Sequence, residues 1–530
     1  MRDESLAPEP DRPPPTPRPA RRRLPQRRAT KTLAIAGGAL AIVVALALVA
    51  VFTITNTDWG RERVRRFLVG QIQKEATGGR VHVGRITGNL LEGMTAHDLV
   101  ITDSAGAPFI AVDSLRAGYA LRSLWRRQID LDDVFLYGPT VVLDKQPGGE
   151  WNWKRIFPGD TLPAPEDTTP GFGDFLRMTD VTVLDGHFVA RSPWRPSSSL
   201  RGAQRDSAVR SVLAGGSRLM VVRVPGGFQK VVELRALDAR MPLVQLADPA
   251  YAVRRIDVTS MTTRAFPFRP PAAEITNLRG TFSFTGDSLW WRGVAVEMPG
   301  SAVTGDGMYV LENGDMWVRA RARPLQHADF RWLYPRLPSR GGGPLDLDLT
   351  WKGATQTYRV RNADLRLDRQ RVQGSIALEL DKDVTIQGSA LRFANLDTRT
   401  IEQVVGGLDI PRRGTLDGRA RLRGTQAKMQ VDANVAFHDA GGTGTSRVAM
   451  IGEVGYVDRG RTWILRARNL RTRLLPLRLE LAQAFAPSLP LGGTLTGDAV
   501  VNGATNTGLA VRGALTHREA GNVSRVSGRA

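Results

Sequence analysis

The chain has 530 residues, too many for one compact core, and this length predicts about three to four domains or one elongated repetitive body. It contains no cysteine, so disulfides, thiol nucleophiles and thiolate metal sites are excluded. Its six histidines are scattered without metal-ligand spacing, which disfavours most metalloenzymes. The net charge of +21 comes mainly from arginines spread along the chain, a distribution typical of solvated strand faces rather than a nucleic-acid site.

The N-terminal segment is proline-rich and basic over residues 1–31, which predicts a disordered cytoplasmic tail. Residues 32–57 carry no charge, and as a helix the core of this stretch, 33–54, would rise about 33 Å, enough to cross a hydrocarbon layer of about 30 Å. We predict a transmembrane anchor whose apolar residues include Leu33, Ile35, Leu40, Ile42, Val43, Val44, Leu46, Leu48, Val51 and Phe52.

The orientation of this anchor follows from the basic tail, which places the chain beyond Asp58 on the far side of the membrane. The alternative is a cleaved signal peptide. A small-residue triplet at 45–47 fits a cleavage site, but the apolar run continues past it, which favours an uncleaved anchor.

A juxtamembrane helix is predicted over residues 58–79, because Val64, Phe67, Leu68 and Ile72 recur on one helical face. From there the hydrophobic period changes from helical to two, the pattern of strands with one apolar face. Residues 80–320 are therefore predicted as a first β region, with loops near 157–174 and 192–217.

The second half, residues 321–530, contains a repeat of about 75 residues. An apolar residue followed by proline recurs at Pro338, Pro411 and Pro490, each time before a glycine, an alternating strand and another glycine. A short helix is predicted before each, at 327–334, 398–405 and 479–485, so that units start near residues 327, 396 and 475.

The apolar residues of the alternating strands are the candidate site. Those assigned to one continuous face are Val81, Val83, Leu99, Ile101, Val141, Leu143, Leu345, Leu347, Leu349, Ile376, Leu378, Val431, Val435 and Phe437. Two arrangements are possible for such a face. A second sheet could pack on it and form an ordinary core, or the sheet could curl into a groove, open along one seam, that acyl chains fill. Period two alone does not separate them.

No sequence motif suggests a catalytic, metal or cofactor-binding residue, and we expect no enzyme activity. Nucleophile-elbow and phosphate-loop patterns are absent from the sequence. Asp346 and Asp348 fit the wet face of a strand better than a carboxylate dyad. Trp151 and Trp153 fit a structural corner better than a sugar-stacking site.

Several stretches resemble the AsmA-like superfamily, and its TamB type in particular. The resemblance begins with the anchor and continues in 81–94, in 96–106, in 124–143 and in the Gly-x-Trp-Asn segment at 149–157. The later repeats at Pro411 and Pro490 also resemble those of the family. TamB-type chains are longer and carry a large C-terminal domain, so the sequence corresponds either to an N-terminal portion or to a shorter member.

The resemblance implies a mainly β fold, in which an elongated sheet with short interspersed helices curls into an open groove. It implies an inner-membrane protein of a diderm bacterium, with the bulk periplasmic, that carries phospholipid toward the outer membrane. The implied partners are phospholipids, the inner membrane and an outer-membrane barrel protein; no nucleic acid or cofactor is expected. The alternative is an assembly factor that templates strands of outer-membrane proteins.

Overall fold

The computed structural model describes residues 57–529 except 90–92, 120–122, 124–127, 159–174, 198–199, 248–252, 382, 407, 443, 459–462 and 486–491. The predicted tail and anchor, including all ten anchor residues from Leu33 to Phe52, lie outside the described residues, as does most of the predicted loop 157–174. None of the helices described is both long and apolar enough to cross a bilayer. The chain divides at Arg61, and the body from Glu62 onward is one unit.

The body is mainly β, as predicted, and its strands belong to one mixed sheet of 27 strands. The first thirteen are β1 Gly79–His82, β2 Arg85–Asn89, β3 Gly93–Asp103, β4 Pro108–Tyr119, β5 Ile129–Tyr137, β6 Thr140–Asp144, β7 Leu176–Trp194, β8 Val221–Val224, β9 Gly227–Ala247, β10 Arg254–Val258, β11 Ser260–Phe266, β12 Ala273–Ile275 and β13 Asn277–Thr285. The others are β14 Ser288–Glu297, β15 Ala302–Val310, β16 Met316–Gln326, β17 Gly342–Lys352, β18 Thr355–Leu367, β19 Gln370–Leu380, β20 Val384–Asp397, β21 Gly414–Thr425, β22 Lys428–Asp439, β23 Thr445–Asp458, β24 Trp463–Arg478, β25 Thr494–Ala504, β26 Gly508–Glu519 and β27 Asn522–Arg529.

Five α-helices and one 3₁₀ turn interrupt the described strands. They are α1 Asp58–Glu75, α2 Asn152–Ile156, α3 Gly202–Leu213, the 3₁₀ turn His327–Phe330, α4 Thr398–Val405 and α5 Leu479–Phe485. The sequence predicts α4 and α5 with the same bounds. The residues between 192 and 217 differ from the predicted loop, because β7 extends to Trp194 and α3 follows it. On the predicted apolar face of α1, Phe67 is 59% exposed, while Val64, Leu68 and Ile72 are half-buried.

The N-terminal part of the sheet is mixed. Strands β5 and β6 both pair in parallel with β7, and β7 pairs antiparallel with the long β9. Valines from three strands, Val134, Val181 and Val244, form the centre of a packed core here. This part therefore has a buried interior of the ordinary kind.

From β13 onward the sheet is an antiparallel meander in which each strand pairs with the next along the chain. The 3₁₀ turn and α4 each precede four strands, β17–β20 and β21–β24, and α5 precedes β25–β27. The unit of the sequence repeat is thus a short helical segment followed by four strands of a continuous sheet.

Bulges recur in this meander at asparagines with left-handed backbone. Asn362, Asn395 and Asn469 have φ of 51°, 51° and 47°, and each lies at a register shift between neighbouring strands. The backbone amides of Asn395 and Asn469 donate to Asp417 Oδ1 (2.9 Å) and to Asn502 Oδ1 (2.8 Å) on the next strand. Asparagine tolerates this conformation better than most residues, and each bulge bends its strand.

Candidate functional site

The meander carries apolar side chains on one face, which we call the apolar face, and charged side chains on the other, the polar face. The register defines the apolar face, because Leu349 lies opposite Tyr358 and Tyr358 lies opposite Leu378. It continues from Leu378 to Ile386 on the next strand. Side chains opposite each other on neighbouring strands point to the same side of a sheet.

Eight of the predicted groove residues share this face: Leu345, Leu347, Leu349, Ile376, Leu378, Val431, Val435 and Phe437. Across the bulge at Asn362, Val360 and Ala363 lie on the same side, because the two residues between them occupy one position of the alternation. The bulges therefore preserve the apolar face while they bend the strands.

The six predicted residues of the N-terminal part have different surroundings. Val81 lies opposite Ile101, and Val141 lies opposite Ile110. Val81 and Leu143 pack with Ile101 against Ile156 of α2, which is fully buried, and Val83 is also buried. Leu99 lies opposite Val112. At this end the apolar residues form a packed core beneath α2 rather than the wall of an open groove.

The packed clusters of buried apolar residues in the described chain all lie before β17, the last one around Ala265, Ala273 and Met298. From β17 onward most apolar-face side chains are only partly buried, including Leu347 and Leu378. The apolar face thus changes along the chain from a filled core to a surface that the described residues cover incompletely.

An apolar cavity of about 1230 Å³ lies where this face meets the ends of β19–β26. Leu378, Ile386, Val454, Leu470 and Val501 are among the residues that form its wall. Several of its apolar side chains are largely exposed: Val384 53%, Val405 59%, Leu465 40%, Leu509 44% and Tyr334 40%. Exposed aliphatic side chains cost free energy in water, and in this chain several of them are concentrated in one concave site.

Among the described residues that line the cavity, Arg466 is the one charged residue, and none is a carboxylate. Arg466 lies opposite Gly455 and next to Leu465, which lines the cavity, so its side chain projects to the polar face. The described lining therefore offers dispersion contacts and an apolar environment.

Helix α4 reaches the cavity with Val405, and hydrogen bonds at both ends hold the helix in place. At its N-terminus, Asp397 accepts from the Arg399 amide (2.8 Å). Near its C-terminus, the Tyr334 hydroxyl donates to the Val404 carbonyl. Glu402 accepts from Arg413 and from the Ile410 amide, and these bonds, the arginine's first, hold the pKa of Glu402 below its ordinary value.

On the polar face, the aspartates of β17 are paired with arginines, as predicted for a wet face. Asp346 accepts from Arg323 (2.6 Å) and Asp348 from Arg361, while Arg319 lies 3.4 Å from Asp348. The pKa of Asp346 is lowered, first because Asn362 donates a hydrogen bond to it (2.6 Å) and then because of Arg323. These carboxylates are neutralised by ion pairs and do not form a dyad.

The tryptophan segment after β6 is a structural corner, as the sequence indicates. Trp153 packs against the core beneath α2. Between the two tryptophans, the buried Asn152 donates to the Val142 carbonyl (2.7 Å) and accepts from the Asp144 amide (3.0 Å). Asn152 is the asparagine of the Gly-x-Trp-Asn segment, and the sequence analysis assigns it no role in the corner.

No group of histidine, aspartate or glutamate side chains in the described chain is arranged to hold a metal ion. The cavity residues that sequence reasoning missed, Val384, Val405, Leu465 and Leu509, lie at hairpin ends and on a helix. Alternation gives no information about which strand end meets a helix. Comparisons with protein-family models, with curated proteins and with solved structures find no match to this chain.

Proposed function

We propose that the chain is an inner-membrane protein of a diderm bacterium whose curled, open β-sheet carries phospholipid acyl chains across the periplasm toward the outer membrane. The single observation that supports this most strongly is the open cavity of about 1230 Å³, in which five of the apolar side chains are 40–59% exposed. In this proposal the cavity is one part of a longer groove along the apolar face.

The continuity of the apolar face supports a path rather than a single pocket. Apolar or small residues lie opposite one another from Leu349 through Leu378 and Ile386 to Met429 and Val454. A ligand that slides along such a face meets a similar environment at each strand. A deep polar site would instead hold the ligand in one place.

The energetics favour acyl chains as the ligand. Each methylene group of an acyl chain costs about 0.8 kcal/mol when it is exposed to water. An apolar wall therefore lowers the free energy needed for a phospholipid to leave a membrane, in proportion to the length of acyl chain that the wall covers. A headgroup needs no buried partner, because it stays in solvent at the open seam. The absence of carboxylates from the described cavity lining fits this arrangement.

The topology in this proposal comes from the sequence. The uncharged residues 33–54 form the anchor, and the basic tail before them stays in the cytoplasm. The strands then extend from the membrane surface into the periplasm, where an outer-membrane barrel protein is the proposed partner. No catalytic step in this chain is required.

Site-specific photocrosslinking in intact cells tests the proposal. A photoreactive phenylalanine analogue is placed at Val384 or Leu509, which line the cavity, and at their neighbours Thr385 or Ala510, which lie on the polar face. Irradiation followed by mass spectrometry of the purified full chain should find phospholipid attached at the first pair of positions and not at the second.

The competing function is a scaffold that templates the strands of outer-membrane proteins. It predicts crosslinks to protein rather than to lipid at the same positions. Phospholipid attached equally at both pairs of positions, or at neither, would refute the groove.

A further inference from the structure

The polar face differs between two successive repeat units at equivalent positions. When the repeats are aligned on their second glycine, Gly353 and Gly424, the outward positions of β17 carry Asp346 and Asp348. The same positions of β21 carry Asp417 and Arg419, and Arg421 and Arg423 follow. Since the alternation is the same, the change in charge belongs to one unit and is not a uniform excess of arginine.

In the first unit and the strand before it, several arginines have carboxylate partners. Arg323 lies 2.6 Å from Asp346, Arg319 lies 3.4 Å from Asp348, and Arg371 lies 2.7 Å from Asp364. The pKa of Asp364 is lowered by the hydrogen bond from Arg371, which is consistent with a formed pair. Two further exposed arginines of this unit's polar face, Arg359 and Arg392, form no ion pair with a carboxylate of the described chain.

In the second unit the arginines outnumber the carboxylates. Arg421 pairs with Asp432 (3.5 Å) and Arg473 with Asp498 (2.7 Å). Three other exposed arginines on the same face form no ion pair with a carboxylate of the described chain. They are Arg419, Arg423 and Arg471. Because their guanidinium groups stay charged, each can still bind a carboxylate or phosphate.

These side chains surround two adjoining concavities on the polar face. One, of about 640 Å³, is lined by Arg421, Arg423 and Arg471, and the other, of about 510 Å³, by Arg419 and Arg471 together with further residues. Arg471 and Ile451 line both. The arginines thus converge on a depression that runs across four strands.

The dimensions and floor of this depression indicate the kind of partner. The arginines of β21 and β24 are three strands apart, which is about 14 Å at a strand spacing of about 4.8 Å. Between them the floor carries Asp432, which pairs with Arg421, and the uncharged Asn434, Ala449 and Ile451. Ile451 is 55% exposed. An apolar side chain between two arginine rows suits a peptide that carries both acidic and apolar residues. A phosphate polymer would gain nothing from it.

We propose that the polar face of β21–β24 binds an extended acidic segment of a partner protein. Its carboxylates pair with Arg419, Arg423 and Arg471, and an apolar residue packs on Ile451. This surface lies on the opposite side of the sheet from the apolar cavity, so the inference does not depend on lipid binding.

The test uses the full chain in amphipol and a fluorescent ten-residue peptide of alternating glutamate and leucine. In one variant Arg419, Arg423 and Arg471 are all changed to Gln, and in the matched control three paired arginines, Arg319, Arg361 and Arg371, are changed to Gln. Both variants lose three charges. Fluorescence anisotropy should show at least a tenfold weaker affinity for the first variant and less than a twofold change for the control.

Three outcomes would overturn the proposal. The first is equal loss in both variants, which reflects net charge alone. The second is equal binding of the peptide with glutamine in place of glutamate. The third is displacement by inorganic polyphosphate at lower concentration than by the unlabelled peptide, which assigns the surface to a phosphate polymer.

If the triple variant does not fold, the single Arg471→Gln variant should still weaken binding about threefold, and unchanged binding would overturn the proposal.

Discussion

A charge placed inside the apolar cavity tests the groove most directly. Val384 lies in the cavity wall and is 53% exposed, and its neighbour Thr385 lies on the polar face. The two side chains are nearly equal in shape, so Val384→Glu and Thr385→Glu form a matched pair of variants with the same added charge on opposite faces.

The expected effect follows from the area that the ligand covers. A carboxylate keeps its hydration shell and excludes the stretch of acyl chain that would lie against it, which is about four methylene groups. At about 0.8 kcal/mol each the loss is about 3 kcal/mol, or roughly 200-fold in affinity. Because Val384 is already half exposed, the change in folding free energy should stay within about 0.5 kcal/mol.

The assay is titration of the full chain, held in amphipol, with a pyrene-labelled phospholipid. Val384→Glu should weaken binding by about two orders of magnitude, and Thr385→Glu should leave it within twofold of the unmodified chain. Circular dichroism of both variants serves as the folding control. Equal affinities of the two variants would refute the assignment of the cavity to acyl chains.

Further predictions concern other parts of the chain. Val435→Glu on the apolar face should stop phospholipid transfer between vesicles while Asn434→Glu does not, and equal transfer rates would contradict a path along this face. The pKa of Glu402 is lowered, so the ionised side chain stabilises α4 at pH values above its ordinary pKa of 4.5, and this stabilisation is lost as the pH falls through the lowered pKa. Hydrogen exchange of the α4 amides should accelerate over that pH range. In the Glu402→Gln variant the exchange should not accelerate over the same range. Ile156→Ala should lower the free energy of unfolding by about 2–5 kcal/mol, and Ile451→Ala should lower it by less than about 0.5 kcal/mol. Urea unfolding followed by tryptophan fluorescence measures both values. Similar losses in the two variants would contradict the packed core beneath α2.

Alternation in the sequence was sufficient to predict the faces of the meander. Leu345, Leu347 and Leu349 alternate with aspartates, and the register places the leucines on the apolar face and the aspartates in ion pairs. The helix at Thr398–Val405 was also predictable, because it lies before a repeated proline and glycine pattern. These features depend on residues close together in sequence.

What covers the apolar face was not predictable. Val81 and Leu345 lie in strands of the same alternating kind, yet Val81 packs in the core beneath α2 while Leu345 is only partly buried. The difference arises because α2 covers the core that contains Val81. Since α2 lies far from that strand in the sequence, the alternation within the strand does not reveal it. The parallel pairing of β5 and β6 with β7 was missed for the same reason, since it joins segments separated by a long connection.

The succession of strands from β13 to β27 also has a consequence for evolution. Because each strand pairs with its neighbour in sequence, a helix and its four strands can be gained or lost without changing the pairing partners of the strands elsewhere, as in other repeat proteins. Four strands add about 19 Å to the width of the sheet at a spacing of about 4.8 Å. Duplication or deletion of one unit would therefore change the width of the sheet in fixed steps.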